Sequence, residues 1–223
     1  MKASHSDTIK IAAGVLAESF LSDPGTAATL EGLSPEKKDK VLKTHALLHL
    51  RYASRRGLLH FLDGNAKAFL IGGPSDLENK LAESLFKLNI VLSTLPAVGF
   101  SAFYQLAKKS RNLQPVTDLN WYRDSITGRH YRLKIIAVDS SLRGSGAFRR
   151  LVTPALQLAD RNALPIVLET HNPANVGLYE HFGFKLEKTL SHPTLSLQQY
   201  CMIRKPMPAN LASDLQMERL ISN

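Results

Sequence analysis

Cysteine is nearly missing from this chain: Cys201 stands alone among 223 residues. One thiol excludes an intrachain disulfide and any cysteine-rich metal cluster, and it points to a reducing compartment. Acidic residues are also scarce, 19 against 28 lysines and arginines, so the net charge is +9. Such an excess can serve nucleic acid, but here it is dispersed over residues 37–43, 51–56, 108–111 and 129–150. No aromatic-rich RNA-binding signature or Cys/His finger accompanies it, so no nucleic-acid partner is expected. Long apolar runs are missing too. The most apolar region, Leu85 to Leu106, is interrupted by Lys87, Asn89, Ser93, Pro96 and Gly99 and reads as too broken to span a bilayer. The opening MKASHSDTIKIAAGVL lacks the basic, apolar and small-residue order of a secretory leader. The expectation is a soluble cytoplasmic protein without a membrane partner. His45 and His49 are four apart, but no third ligand accompanies them, so no metal is expected.

What is present is enough apolar material, 44% of residues, for a packed core. Helical spacing of Ile9, Ala12, Ala13, Leu16 and Phe20 follows the capping candidates Ser6 and Asp7, and Asp23-Pro24-Gly25 ends the run. A second helix starts at Pro35 behind Ser34 and ends at Gly57. Residues 58–62 and 67–71, joined by Asp63-Gly64-Asn65, read as a hairpin. Residues 76–92 and 96–111 read as two helices with their corner at Ser93 to Pro96. Loop follows, with 120–124 as a short strand. Strand 132–138, helix 148–161, strand 166–170, short helix 173–182 and a final antiparallel pair, 185–190 with 198–204, complete the pattern. Pro154 lies inside one helix, which is kept because the apolar spacing continues across it. The chain is thus α/β (α+β): one domain over 1–205, a helical insertion at 76–129, and a tail over 206–223 that suits a peripheral helix.

Residues 137–151 read AVDSSLRGSGAFRRL, a strand end, a Gly-rich turn and a helix start. Glycines let backbone amides approach a ligand, and a helix N-terminus offers unsatisfied N–H groups to an anion. With the following strand this makes a βαβ crossover whose loop sits at the carboxyl end of the first strand, where α/β sheets bind ligands. The motif is no dinucleotide fingerprint, lacking the third glycine, and no P-loop, lacking Gly-Lys-Ser/Thr. A pyrophosphate cradle of another kind remains.

That loop, together with PIVLETHNPANVGLYEHFGFKLEK over residues 165–188, resembles motifs A and B of the GCN5-related N-acetyltransferases (GNATs). The family's Gln/Arg-x-x-Gly-x-Gly/Ala loop is met by Arg143 and Gly146, with Phe148 where a small residue is usual. The second motif is matched by Asn172, Asn175, Tyr179, Glu180, Gly183 and Phe184. The wording of residues 168–184 and the ending QYCMIRKP are most similar to the puromycin N-acetyltransferase branch, which acetylates small-molecule amines. The resemblance implies a mixed sheet whose two parallel strands splay apart around acetyl-CoA as cosubstrate. Ile136, Ala137 and Val138 would then offer backbone contacts to pantetheine. Arg143, Gly144, Ser145, Gly146, Ala147 and Phe148 would hold the pyrophosphate, and Asn172, Asn175 and Tyr179 would line the far side.

Attack of an amine on a thioester needs a neutral amine, a donor for the oxyanion and a proton for the departing thiolate. A thiol titrates near ~8.5 and tyrosine near ~10, so Tyr179 suits the proton donor. Glu169 ranks first as base, with His171 and His130 as alternatives. Phe103, Tyr104, Trp121 and His130 are the candidate acceptor-binding residues, since residues 76–129 fall outside the resemblance and suit an acceptor wall. The expected activity is acetyl transfer to a small primary amine. A protein or peptide amine, or a catalytically weak CoA-binding scaffold, are the alternatives, and oligomeric state is open between monomer and homodimer.

Overall fold

The computed structural model describes residues 4–207; the tail expected over 206–223 lies almost wholly outside them. Helix α1, His5–Leu21, is capped by the Ser4 hydroxyl, which accepts from the Asp7 amide, two residues earlier than the sequence suggests. The chain does not stop at Asp23-Pro24-Gly25. Asp23 caps a further helix, α2 (Pro24–Leu30), and Pro24 occupies the first turn, where its missing N–H costs nothing. Helix α3, Pro35–Arg55, is capped by Ser34. The hairpin of β1 (Leu59–Leu62) and β2 (Asn65–Pro74) follows.

Helix α4 runs unbroken over Lys80–Val98, capped by Asn79, with Pro96 inside its last turn. The corner expected at Ser93 to Pro96 falls instead at Gly99, whose φ of 81° opens α5, Phe100–Leu113. A proline so near the end removes one hydrogen bond and leaves the earlier turns intact. Because the helix does not break, Lys80–Val98 is by length and composition apolar enough to cross a membrane, against the sequence expectation. The short strand expected at 120–124 is a single tight helical turn, Trp121–Asp124. Then come β3 (Tyr131–Val138), α6 (Ala147–Arg161, with Pro154 inside), β4 (Ile166–Thr170), α7 (Ala174–Glu180), β5 (Lys185–His192) and β6 (Leu195–Arg204).

The six strands form one mixed sheet in the order β1-β2-β3-β4-β6-β5. Residue alternation assigns the faces. Phe69, Ile71, Ile135 and Ala137 meet α1 and α3, whereas Leu70, Ile136, Val138, Ile166, Leu168 and Met202 meet α6. On the first face, Val167, Cys201 and Ile203 are covered by Trp121 and Tyr122. The register between β2 and β3 shifts between Ile71 and Gly72, a bulge that flips the phase of β3. Tyr131 and Leu133 therefore share the α6 side with Ile136 and Val138. The parallel pair, β3 with β4, holds for Tyr131↔Ile166 and Arg132↔Val167 and then parts. That opening organises the site.

Candidate active site

The loop after β3 is built from short-range bonds. Asp139 accepts from the Ser141 amide, the Ser145 hydroxyl donates to the Leu142 carbonyl, and Gly144 and Gly146 take φ of 76° and 75°. Helices α1 to α4 carry a side-chain oxygen on their first-turn amides; α5, α6 and α7 have none from the capping residue, and of these α6, headed by Gly146, opens onto the Gly-rich loop. Its amides are left for a ligand. A cleft of about 420 Å³ lies against them, lined by Val138, Arg143, Gly144, Gly146, Ala147 and Phe148, with Leu178, His181 and Phe182 opposite. A Cβ built on Gly144 or Gly146 meets nothing within 4 Å, so the backbone faces open space. Arg143 and Arg149 add charge, and Arg149 donates to His181 Nε2 at 2.6 Å. Open amides, positive charge and a flat glycine surface fit a pyrophosphate. Ser145 lies in the turn, exposed, between the two glycines.

Phe148, the bulky departure from the family loop, turns inward. Its ring is 6.2 Å from that of Tyr179 and 5.4 Å from that of Phe182, so it braces α7 against α6. Tyr179 packs on Phe184 from the other side at 5.8 Å. Burial, and secondarily the nearby Glu169 charge, push the Tyr179 hydroxyl up to about 12. Asn172 and Asn175 serve the turn between β4 and α7. The Asn172 side chain accepts from the Ala174 amide at 3.0 Å, and Asn175 donates to the Thr170 hydroxyl at 3.2 Å.

Glu169 is half-buried at the end of β4, accepting from the Trp121 indole at 2.9 Å and 4.0 Å from Arg132. Burial raises its carboxyl, partly offset by the Trp121 bond and the Arg132 charge. Two residues on, His171 is fixed by the Val116 carbonyl, 3.0 Å from Nε2. A carbonyl only accepts, so Nε2 carries the hydrogen and Nδ1 keeps its lone pair. Nδ1 faces Gly25, where an added Cβ would lie only 2.6 Å away.

His171 is also a wall of the second cleft, about 460 Å³, between α2, α3, α4 and α5. Its lining is largely apolar: Phe20, Leu30, Val41, Leu42, Ile90 and Phe103, with His45 and His49 among them. Burial lowers the His45 ring, and burial followed by His45 and Lys134 brings His49 to about 4. Of the four acceptor-binding candidates, Phe103 lines this cleft. The other three do not come together with it. Tyr104 points outward on α5 and is exposed, because α5 buries its Ala102 and Leu106 side instead. Trp121 is buried against β4 and β6 as the donor to Glu169. His130 precedes β3, at the opposite end of that strand from the Gly-rich loop, and its ring packs 4.6 Å from Tyr122. Asp23, Gly25, His45 and His49 are lining residues that the sequence reading missed.

The acetyltransferase (GNAT) family profile matches residues 97–184. A curated relative from Schizosaccharomyces pombe, an uncharacterized N-acetyltransferase, is 28% identical over 207 residues, spanning 88% of this chain and 79% of the relative. Among solved structures, histone acetyltransferase HPA2 and related acetyltransferase from Corynebacterium glutamicum superposes with a TM-score of 0.58 at 18% identity, covering 94% of this chain and 97% of that one. Arylalkylamine N-acetyltransferase 2 from Aedes aegypti gives a TM-score of 0.52 at 16% identity, over 91% and 94%. With the parted β3–β4 pair and the uncapped α6 N-terminus beside a profile match over residues 97–184, the chain is similar to the GNAT acetyltransferases in fold and in that segment.

Proposed function

We propose that this protein transfers an acetyl group from acetyl-CoA to the primary amine of a small, largely apolar molecule. The observation that carries this reading is the 460 Å³ cleft, whose helical walls end at His171, just past β4. A cleft of that size suits a small molecule, within the range of ordinary ligand pockets. Bound acetyl-CoA supplies the thioester. Gly144, Gly146 and the first amides of α6 hold its pyrophosphate, with Arg143 adding charge. The backbone of Ile136, Ala137 and Val138, beyond the point where β4 leaves β3, is free to pair with the pantetheine arm.

The acceptor amine must lose a proton. Of the base candidates, His171 is supported best, because its ring lines the cleft that would take the amine and its Nε2 is held by the Val116 carbonyl. Glu169 stands two residues behind, its carboxyl raised by burial and partly offset by the Trp121 bond and the Arg132 charge. Tyr179 stays protonated at neutral pH. Full transfer of its proton to a thiolate is uphill, about 12 against ~8.5, so its first service is a hydrogen bond to the departing sulfur.

The test is acetyl-CoA turnover over a panel of arylalkyl and alkyl amines against peptides with free N-termini or lysines. Turnover confined to peptides would sink the small-amine reading and leave the acyltransferase assignment intact.

A further inference from the structure

Among the described residues, the outer face of α4 has no partner. Leu81, Leu85, Leu88, Leu92 and Leu95 are 38–71% exposed, with Val91 beside them. Their spacing, four, three, four, three, is the a/d alternation of a coiled-coil seam. The opposite face is committed. Phe86 stacks on Tyr52 at 4.6 Å and meets His49 edge-on at 4.8 Å, and the Thr94 hydroxyl accepts from His45 at 2.8 Å. A helix so anchored on α3 does not cross a bilayer without taking the domain apart.

We infer that α4 is a homodimer seam, occupied by α4 of a second copy of this chain. Three observations select that occupant. The heptad spacing lets a seam meet itself, as a two-fold interface requires. The flanking positions Ala82, Ser84, Asn89 and Val91 carry no charge, and residues 88–107 contain none at all, in a chain of net charge +9. Two copies therefore meet here without the repulsion that their other surfaces bring. Finally, the stripe leaves on the order of 500 Å² of apolar surface uncovered on each copy, so a pair removes on the order of 1,000 Å², the size that a specific interface clears. A lipid surface is the less suited occupant, because helices that lie on membranes carry Lys and Arg along the polar face. On α4 the lysines are Lys80 and Lys87, and Lys87 is paired with Glu83 at 2.9 Å.

Leu88 is the midpoint of the stripe, so either two-fold arrangement brings it against its own copy. Sedimentation of the full chain across the micromolar range should show twice the monomer mass. Leu88→Cys should give a covalent dimer under mild oxidation, with no background from the buried Cys201. Leu88→Glu combined with Leu92→Glu should return the mass to one chain, with circular dichroism unchanged because both side chains are exposed on the single chain. A wild-type chain that stays monomeric throughout, or that is monomeric and floats with phosphatidylglycerol vesicles, overturns the proposal. So does a dimer that survives the double substitution, or a Leu88→Cys chain that does not cross-link. None of these readouts involves acetyl transfer, so the catalytic reading stands or falls separately.

Discussion

At Tyr179 a single oxygen separates packing from chemistry. The ring is held between Phe148 and Phe184, and Tyr179→Phe keeps both contacts. Folding and acetyl-CoA binding should therefore change little, while kcat and kcat/KM fall together by about a hundredfold to a thousandfold, the cost of losing one donor to a developing charge. Because the hydroxyl titrates at about 12, no alkaline loss of rate from this residue should appear below about pH 11. Wild-type turnover by the Phe variant would reduce Tyr179 to a packing residue. His171 offers a second test at this scale. Gly25→Ala would push its ring, since the added carbon falls 2.6 Å from Nδ1. A displaced base should lower kcat/KM for the amine by about tenfold or more and leave the acetyl-CoA dissociation constant alone. A parallel loss in both would mean that Gly25 only supports the fold.

At the scale of elements, the α6 N-terminus is the unit proposed to hold the cofactor's phosphates. Its amides are aimed by Gly146, whose φ of 75° suits glycine and strains a β-branched residue. Gly146→Val should cost about 1–3 kcal/mol of stability from that strain. It should also abolish the rise in Tm that CoA brings to the wild type by mass action. Thermal scans with and without CoA check both effects. A Val variant that is still stabilised by CoA would move the phosphate site elsewhere. The same element explains Phe148: a side chain that breaks the family's small-residue pattern is absorbed because it points at α7, away from the amides.

For the whole molecule, acid stability reports the helical layer. Burial first, then His45 and Lys134, hold His49 at about 4, while an unfolded histidine titrates near 6.5. Between those values the unfolded chain binds a proton that the folded chain refuses. Stability is thus fully present above about pH 6.5 and is lost as pH falls toward about 4. Chemical denaturation at pH 5 should give a stability about 1–2 kcal/mol below that at pH 7 from this residue. His49→Phe, which keeps the aromatic edge on Phe86, should remove most of the difference. An unchanged slope would place the acid sensitivity on other groups.

The crossover, its Gly-rich turn and the succession of strands along the chain were legible in the sequence because they depend on local periodicity and turn chemistry. Residues 132–138 alternate or run apolar, the glycines sit where φ must be positive, and motif B names Tyr179 without reference to anything distant. The acceptor side depended on tertiary contacts. Whether Phe103, Tyr104 or Trp121 faces a cleft is decided by which side of α5 packs inward and by what covers β4, and neither is a property of a short window. Pro96 shows the same limit: a proline near a helix end is ambiguous in sequence, and here the packing of Thr94 and Ala97 carries α4 on to Gly99. That extra turn completes the leucine stripe at Leu95. His171 became a base candidate of the first rank only when α2 and the loop at Val116 closed around it, because a tautomer is set by partners that are far away in the chain.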